Sequence, residues 1–94
     1  MFKAKVVVKL REDVLDVQGK AIEEALQASY KEVKDVRVGK VITFNINTKS
    51  DLKALKISQQ ITEELLVNPL IEDYTLDVWD EKKMREELGE DYDL

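Results

Sequence analysis

Residues 15–20 read L-D-V-Q-G-K and come just after an alternating run. An Asp, a Gln and a Gly at a strand-to-helix junction are the residue types from which phosphate cradles and catalytic loops are made, because free backbone amides point outward at a helix start. Such a cradle also needs an arginine within the next few residues, to hold the anion through two parallel hydrogen bonds. The residue four beyond Gly19 is Glu23, which has the opposite sign. Asn45 and Asn47 are suited to orienting a water molecule, but they are left with no anion to serve. Gly19 is therefore read as a point of close packing. Asp16 is read as a helix N-cap, its carboxylate accepting from the first-turn amides.

The chain also holds four carboxylate pairs: Asp13 with Asp16, Glu23 with Glu24, Glu63 with Glu64, and Glu72 with Asp73. Acid–base catalysis needs one member of a pair held in apolar surroundings, so that the two titrate apart. These pairs fall on faces expected to meet solvent. Lys31, Lys34, Arg37 and Lys40 cluster near a turn signal and read as charges protecting a sheet edge. An RNA-binding sheet would place stacking aromatics on its middle strands. Only Phe2 and Phe44 are available there, and Phe44 lies on the Ile42/Ile46 face.

Bulk composition narrows the classes further. The 94 residues suit one domain, and 44% hydrophobic with 37% charged residues is a globular balance. A net charge of −5 opposes binding to a phosphate backbone. With no cysteine and no histidine, the chain lacks a thiolate nucleophile, a Cys-type zinc site and the commonest general base. Apolar runs are only a few residues long, and the N-terminus alternates where a secretion signal would be unbroken. The expectation is a cytoplasmic protein with no nucleic-acid or membrane partner, no catalytic set, no metal site and no cofactor of its own.

The elements that must position these residues are legible from periodicity. Residues 2–10 alternate, with Phe2, Ala4, Val6, Val8 and Leu10 on one face and lysines on the other, as a half-buried strand does. Val7 breaks the polar face. A helix runs from Asp16 to about Ser29, with Ile22, Ala25 and Leu26 as its apolar stripe. Val33, Val36 and Val38 predict a strand, Gly39-Lys40 a tight turn, and residues 41–47 a second strand, together a hairpin. Ser50 caps another helix, whose buried stripe is Ala54, Ile57, Ile61 and Leu65, widened by Leu52, Leu55 and Leu66. Asn68-Pro69 stops it, the Asn suiting a left-handed residue. Residues 71–79 form a last strand. From Asp80 the chain is nearly all charge, with Met84 and Leu88 as one apolar pair.

The fold class is thus α+β. The order β-α-β-β-α-β predicts a ferredoxin-like, four-stranded antiparallel sheet with two helices on one face. Residues 1–79 form the domain and residues 80–94 a solvated tail. Several apolar residues fall on the open sheet face, which is expected to meet a second copy or another protein.

Three segments together, residues 14–26, 33–46 and 63–78, resemble the PurS family, the small subunit of phosphoribosylformylglycinamidine (FGAM) synthase in purine biosynthesis. The family shows L-D-x-Q-G-K, here Leu15, Asp16, Gln18, Gly19 and Lys20; D-V-R-x-G-K, here Asp35, Val36, Arg37, Gly39 and Lys40; and L-x-N-P-x-I-E-D-Y, here Leu66, Asn68, Pro69, Ile71, Glu72, Asp73 and Tyr74. Val17 stands where family members usually carry Pro, and Ala28-Ser29 where many have Leu-Gly. The tail beyond Trp79 is longer than usual for the family.

The resemblance implies a non-catalytic accessory subunit. The full enzyme converts formylglycinamide ribonucleotide, glutamine and ATP into formylglycinamidine ribonucleotide. A glutaminase subunit releases ammonia, and a large synthetase subunit, which holds ATP and Mg²⁺, consumes it. PurS-like subunits associate as homodimers or homotetramers and bridge the other two, supporting ammonia transfer. The partner-interface candidates on this reading are Gln18, Gly19, Lys20, Arg37, Gly39 and Lys40. The rival expectation is a small-molecule-sensing regulatory domain of the same topology, whose ligand loop would need more glycines than residues 11–19 supply.

Overall fold

The computed structural model describes residues 1–88. The first strand, β1 (Phe2–Leu10), is central; β2 (Gly39–Ile46) and β3 (Glu72–Asp80) pair with it on either side, both antiparallel. Helix α1 (Val17–Gln27) lies between β1 and β2 in the chain, and α2 (Asp51–Ile61) between β2 and β3; α3 (Glu81–Leu88) comes after β3. The α+β class stands, with a three-stranded sheet in place of the expected four-stranded one.

The missing strand is the first half of the expected hairpin. Gly39 and Lys40 make no turn; they begin β2, opposite Lys9 and Val8. A Cβ on Gly39 would lie 2.6 Å from the Val8 carbonyl oxygen, so the strands approach closely there. Residues 33–38 run back along α1 instead. The Val36 amide donates to Glu23 Oε1 at 2.9 Å, and Gln27 Nε2 donates to the Val33 carbonyl at 2.8 Å. These α1 side chains take the backbone capacity that a strand ladder would have used. Asp35, at φ 57°, also breaks the extended run.

Phe2, Ala4, Val6 and Val8 are buried under α2 and the turn at its end, as alternation requires. One core cluster joins Phe2, Ile46 and Ala54; the other joins Val6, Val8 and Val67. Ser50 caps α2, its side chain accepting from the Lys53 amide. Ala54, Ser58 and Thr62, at i, i+4 and i+8, form the fully buried stripe, and their small size lets the helix lie close to the sheet. Ser58 Oγ and Thr62 Oγ1 donate to carbonyls one turn back, each at 2.7 Å, which satisfies both hydroxyls.

The expected stripe of α2 is corrected at its end. Residues Thr62–Leu66 form a π turn, with the Val67 amide donating to the Thr62 carbonyl. The extra residue rotates the chain beyond it about the helix axis. Leu65 is 79% exposed, while Leu66 packs on the Val6 cluster. Leu52 and Leu55 are also exposed rather than widening the buried face. Asn68 terminates the segment through its side chain, Oδ1 accepting from the Leu70 amide, and not through a left-handed backbone.

Of α1 and α2, only α2 is seated on the sheet. Gly19 is the one buried residue of α1, and no α1 side chain joins either core cluster. The opposite face is largely polar: Lys5 stands across from Asp77 and Lys9 from Asp73, with Val7, Val41 and Trp79 its apolar members. The apolar character expected of that face is therefore confined to three residues. Helix α3 is anchored at its start, where Asp80 Oδ1 accepts from the Lys82 amide and the Glu81 amide donates to the Met1 carbonyl. The Met84 and Leu88 pair falls partly outside the side chains described.

Candidate functional site

Asp16 has the extended backbone an N-cap requires (φ −95°, ψ 92°). Its Oδ1 accepts from the Gly19 amide at 2.8 Å and its Oδ2 from the Val38 amide at 2.7 Å. One carboxylate therefore fastens the start of α1 to the residue that leads into β2. The Val38 amide, then the Gly19 amide, then the Arg37 charge hold the Asp16 carboxyl below its ordinary 3.8, against the opposing effect of burial. A buried carboxylate kept ionised in this way is an acceptor and not a proton carrier.

Gly19 completes the junction. A Cβ there would lie 2.5 Å from the Val36 carbonyl oxygen and 2.7 Å from Asp16 Oδ2. Arg37 reaches back across the same gap. Its Nη2 donates to the carbonyls of Arg11 at 2.8 Å, Val14 at 3.2 Å and Leu10 at 3.4 Å. Asp16, Gly19 and Arg37 thus close a clasp at the base of an arm formed by α1 and residues 28–38.

The third motif arrives at the same end of the sheet. The Arg11 amide donates to the Ile71 carbonyl at 2.9 Å, and Arg11 Nη2 donates to the Pro69 carbonyl at 2.8 Å. Leu10 pairs with Glu72 and Lys9 with Gly39. Two shallow depressions flank the base of the arm. One, of about 460 Å³, is lined by Lys20, Glu23, Asp35 and Arg37 among others. The other, of about 200 Å³, is lined by Gln18, Val38, Gly39, Lys40 and Glu72 among others, and so draws on all three motifs.

The six candidates divide in two. Gln18, Lys20, Gly39 and Lys40 are exposed around the base of the arm. Gly19 is buried and Arg37 is engaged with carbonyls of its own chain, so both act first in holding the clasp. Sequence reasoning found the Asp16 cap but not its bond to Val38, nor the ties from Glu23 and Gln27. Nothing in the spacing marks those three as partners of a segment 6 to 22 residues away. Among the described residues no three acidic side chains converge to hold a metal ion.

A family model described as PurS, phosphoribosylformylglycinamidine (FGAM) synthase, matches residues 3–80. The chain belongs to the PurS family. It is 46% identical over 79 residues to the Bacillus subtilis FGAM synthase subunit PurS, covering 83% of this chain and 93% of that one. The solved structure of B. subtilis PurS superposes with a TM-score of 0.75 at 44% identity, covering 85% of this chain and 100% of that one. A chain of the Thermotoga maritima PurLQS structure gives a TM-score of 0.76 at 35% identity, covering 83% of this chain and 96% of that chain. The family match ends at residue 80, immediately before α3 begins. All three family-like motifs lie inside it and meet at the base of the arm.

Proposed function

We propose that this PurS-family chain is the small accessory subunit of FGAM synthase in purine biosynthesis, working in the cytoplasm as a homodimer or homotetramer. It bridges the glutaminase and the ATP-dependent synthetase subunits and keeps released ammonia on its way from one to the other. The chain itself makes and breaks no bonds; ATP and Mg²⁺ belong to the synthetase. The observation that carries this reading is the convergence of three sequence-distant motifs on one end of the sheet, around a carboxylate and a guanidinium that serve backbone groups. A surface made of ordered backbone, with exposed Gln18, Lys20 and Lys40 at its rim, is suited to recognising protein. No helix among the described residues is long and apolar enough to cross a membrane.

The test is the reconstituted synthase assayed with glutamine and, separately, with ammonia as nitrogen source. Omitting this chain should abolish the glutamine-dependent reaction. Full glutamine-dependent activity without it would refute the proposal, as would turnover of any of these substrates by the chain alone.

A further inference from the structure

Strand β3 is an edge of the sheet, and its outer side meets no other strand among the described residues. Which backbone groups point outward follows from the ends of its ladder with β1. The Arg11 amide donates to the Ile71 carbonyl and the Glu81 amide to the Met1 carbonyl, each pair one step beyond the paired residues Leu10↔Glu72 and Phe2↔Asp80. Hydrogen-bonded pairs recur at every second residue of an antiparallel ladder. The odd-numbered residues of β3 therefore bond to β1, and the even-numbered ones turn their N–H and C=O groups away from it. The Glu72 amide obeys this rule, donating to the Asn68 carbonyl at 2.8 Å. Tyr74, Leu76 and Val78 follow it in one outward row.

This edge has the form of a strand acceptor. Nine residues span about 30 Å. The register runs without a bulge, and the strand holds no Pro and no Lys, the devices by which edges commonly refuse a further strand. The side chains of Tyr74, Leu76 and Val78 pack on the two core clusters, which holds the row in place.

Charge sets the kind of strand it can accept. β3 carries Glu72, Asp73, Asp77 and Asp80 with no Lys or Arg, whereas β2, the other edge, carries Lys40 and no carboxylate. Glu72 and Asp80 serve their own chain, accepting from the Asn68 and Lys82 amides. Asp73 and Asp77 are exposed on the face opposite α2, about 13 Å apart along the strand. Arg11 meets Asp73 at 3.6 Å, and Lys5 and Lys9 stand across from the two aspartates on β1. An added strand would have the aspartates as direct neighbours and those lysines a second strand spacing away, about 10 Å. A second copy is a poor occupant. Two β3 strands paired antiparallel about Leu76 would set Glu72 against Asp80 twice, and like charges directly opposite destabilise a sheet.

We propose that the outer edge of β3 takes an extended segment of a different protein. The segment's backbone bonds to Tyr74, Leu76 and Val78, and its Lys or Arg side chains, four residues apart, meet Asp73 and Asp77. Main-chain bonds supply the hold and alternate side chains the selection. This rests on the accessory-subunit reading above and specifies the chemistry by which a partner is held.

Amide hydrogen exchange of the full chain tests it, read residue by residue by mass spectrometry, alone and after the synthetase and glutaminase are added. In the chain alone the Tyr74, Leu76 and Val78 amides should exchange faster than those of Thr75 and Asp77, and in the complex they should slow by about tenfold or more. Asp77→Lys should weaken assembly several-fold, with Asp77→Asn between it and the parent. An assembled complex with these three amides still fast would overturn the proposal and spare the accessory reading. Absence of any complex would remove both. Slowing in the chain alone that grows with its concentration would give the edge to a second copy, overturning the proposal. Assembly of unaltered strength by Asp77→Lys would overturn the basic character assigned to the partner segment.

Discussion

At the residue scale, the base of the arm depends on Gly19 as well as on the Asp16 and Arg37 charges. The atoms its Cβ would meet include a backbone carbonyl oxygen at 2.5 Å, which cannot rotate away as a side chain can. Gly19→Ala must therefore move α1 away from residues 36–38 or strain the Asp16 cap. We expect a loss of about 1–3 kcal/mol, the usual range for overpacking, read as a lower midpoint in urea unfolding with an unchanged slope. Stability equal to the parent chain would mean that the clasp yields freely. Arg37 serves the same joint. Reversing its charge removes donors to three carbonyls, so a combined Arg37 and Lys40 reversal alters the fold as well as the surface.

At the element scale, the π turn decides which leucine is core. A regular α2 would carry the Ala54, Ile57, Ile61 stripe on to Leu65. The extra residue in Thr62–Leu66 turns Leu65 outward and Leu66 toward Val6, Val8 and Val67. Leu66→Ala is expected to destabilise by about 2–3 kcal/mol, since it leaves a gap against buried valines. Leu65→Ala should stay within about 0.5 kcal/mol. Chemical unfolding of both variants checks this, and the opposite ranking would mean that the helix runs on without the turn. Tyr74 supports the same junction. Its hydroxyl donates to Glu63 Oε1 at 3.0 Å, a bond that raises the tyrosine above its ordinary value of 10.0. The contribution of this bond is fully present below that ordinary value and is lost as the pH rises through the raised one.

At the scale of the whole molecule, the chain is a frame that presents surfaces. Lys40 is the cleanest probe of the base of the arm, being exposed, inside β2, and a lining residue of the depression built from all three motifs. Lys40→Glu should leave the circular dichroism spectrum unchanged and weaken co-elution with the synthetase and glutaminase several-fold. It should also lower glutamine-dependent activity more than ammonia-dependent activity. An assembly of unaltered strength would remove Lys40 from the interface. Electrostatic contacts at a rim are screened by salt and act largely on association rate, so the gap between variant and parent should narrow as salt is raised.

Periodicity and capping are enough to read β1, α2, β3 and the Asp16 and Ser50 caps, because alternation, helical stripes and N-cap chemistry are local and each residue's role depends on near neighbours. The three motifs likewise point to the family without a structure. What the sequence could not decide was where residues 33–38 would find hydrogen-bond partners. Three β-branched residues and a Gly-Lys pair predict a hairpin, but Asp16, Glu23 and Gln27 offer competing partners that only the folded chain brings within reach. The same holds for the standing of α1. Its stripe says that it must be covered, whereas the clasp between two loops far apart in sequence decides that its own sheet does not cover it. Local pattern sets what each segment needs; long-range contacts set which of the available partners supplies it.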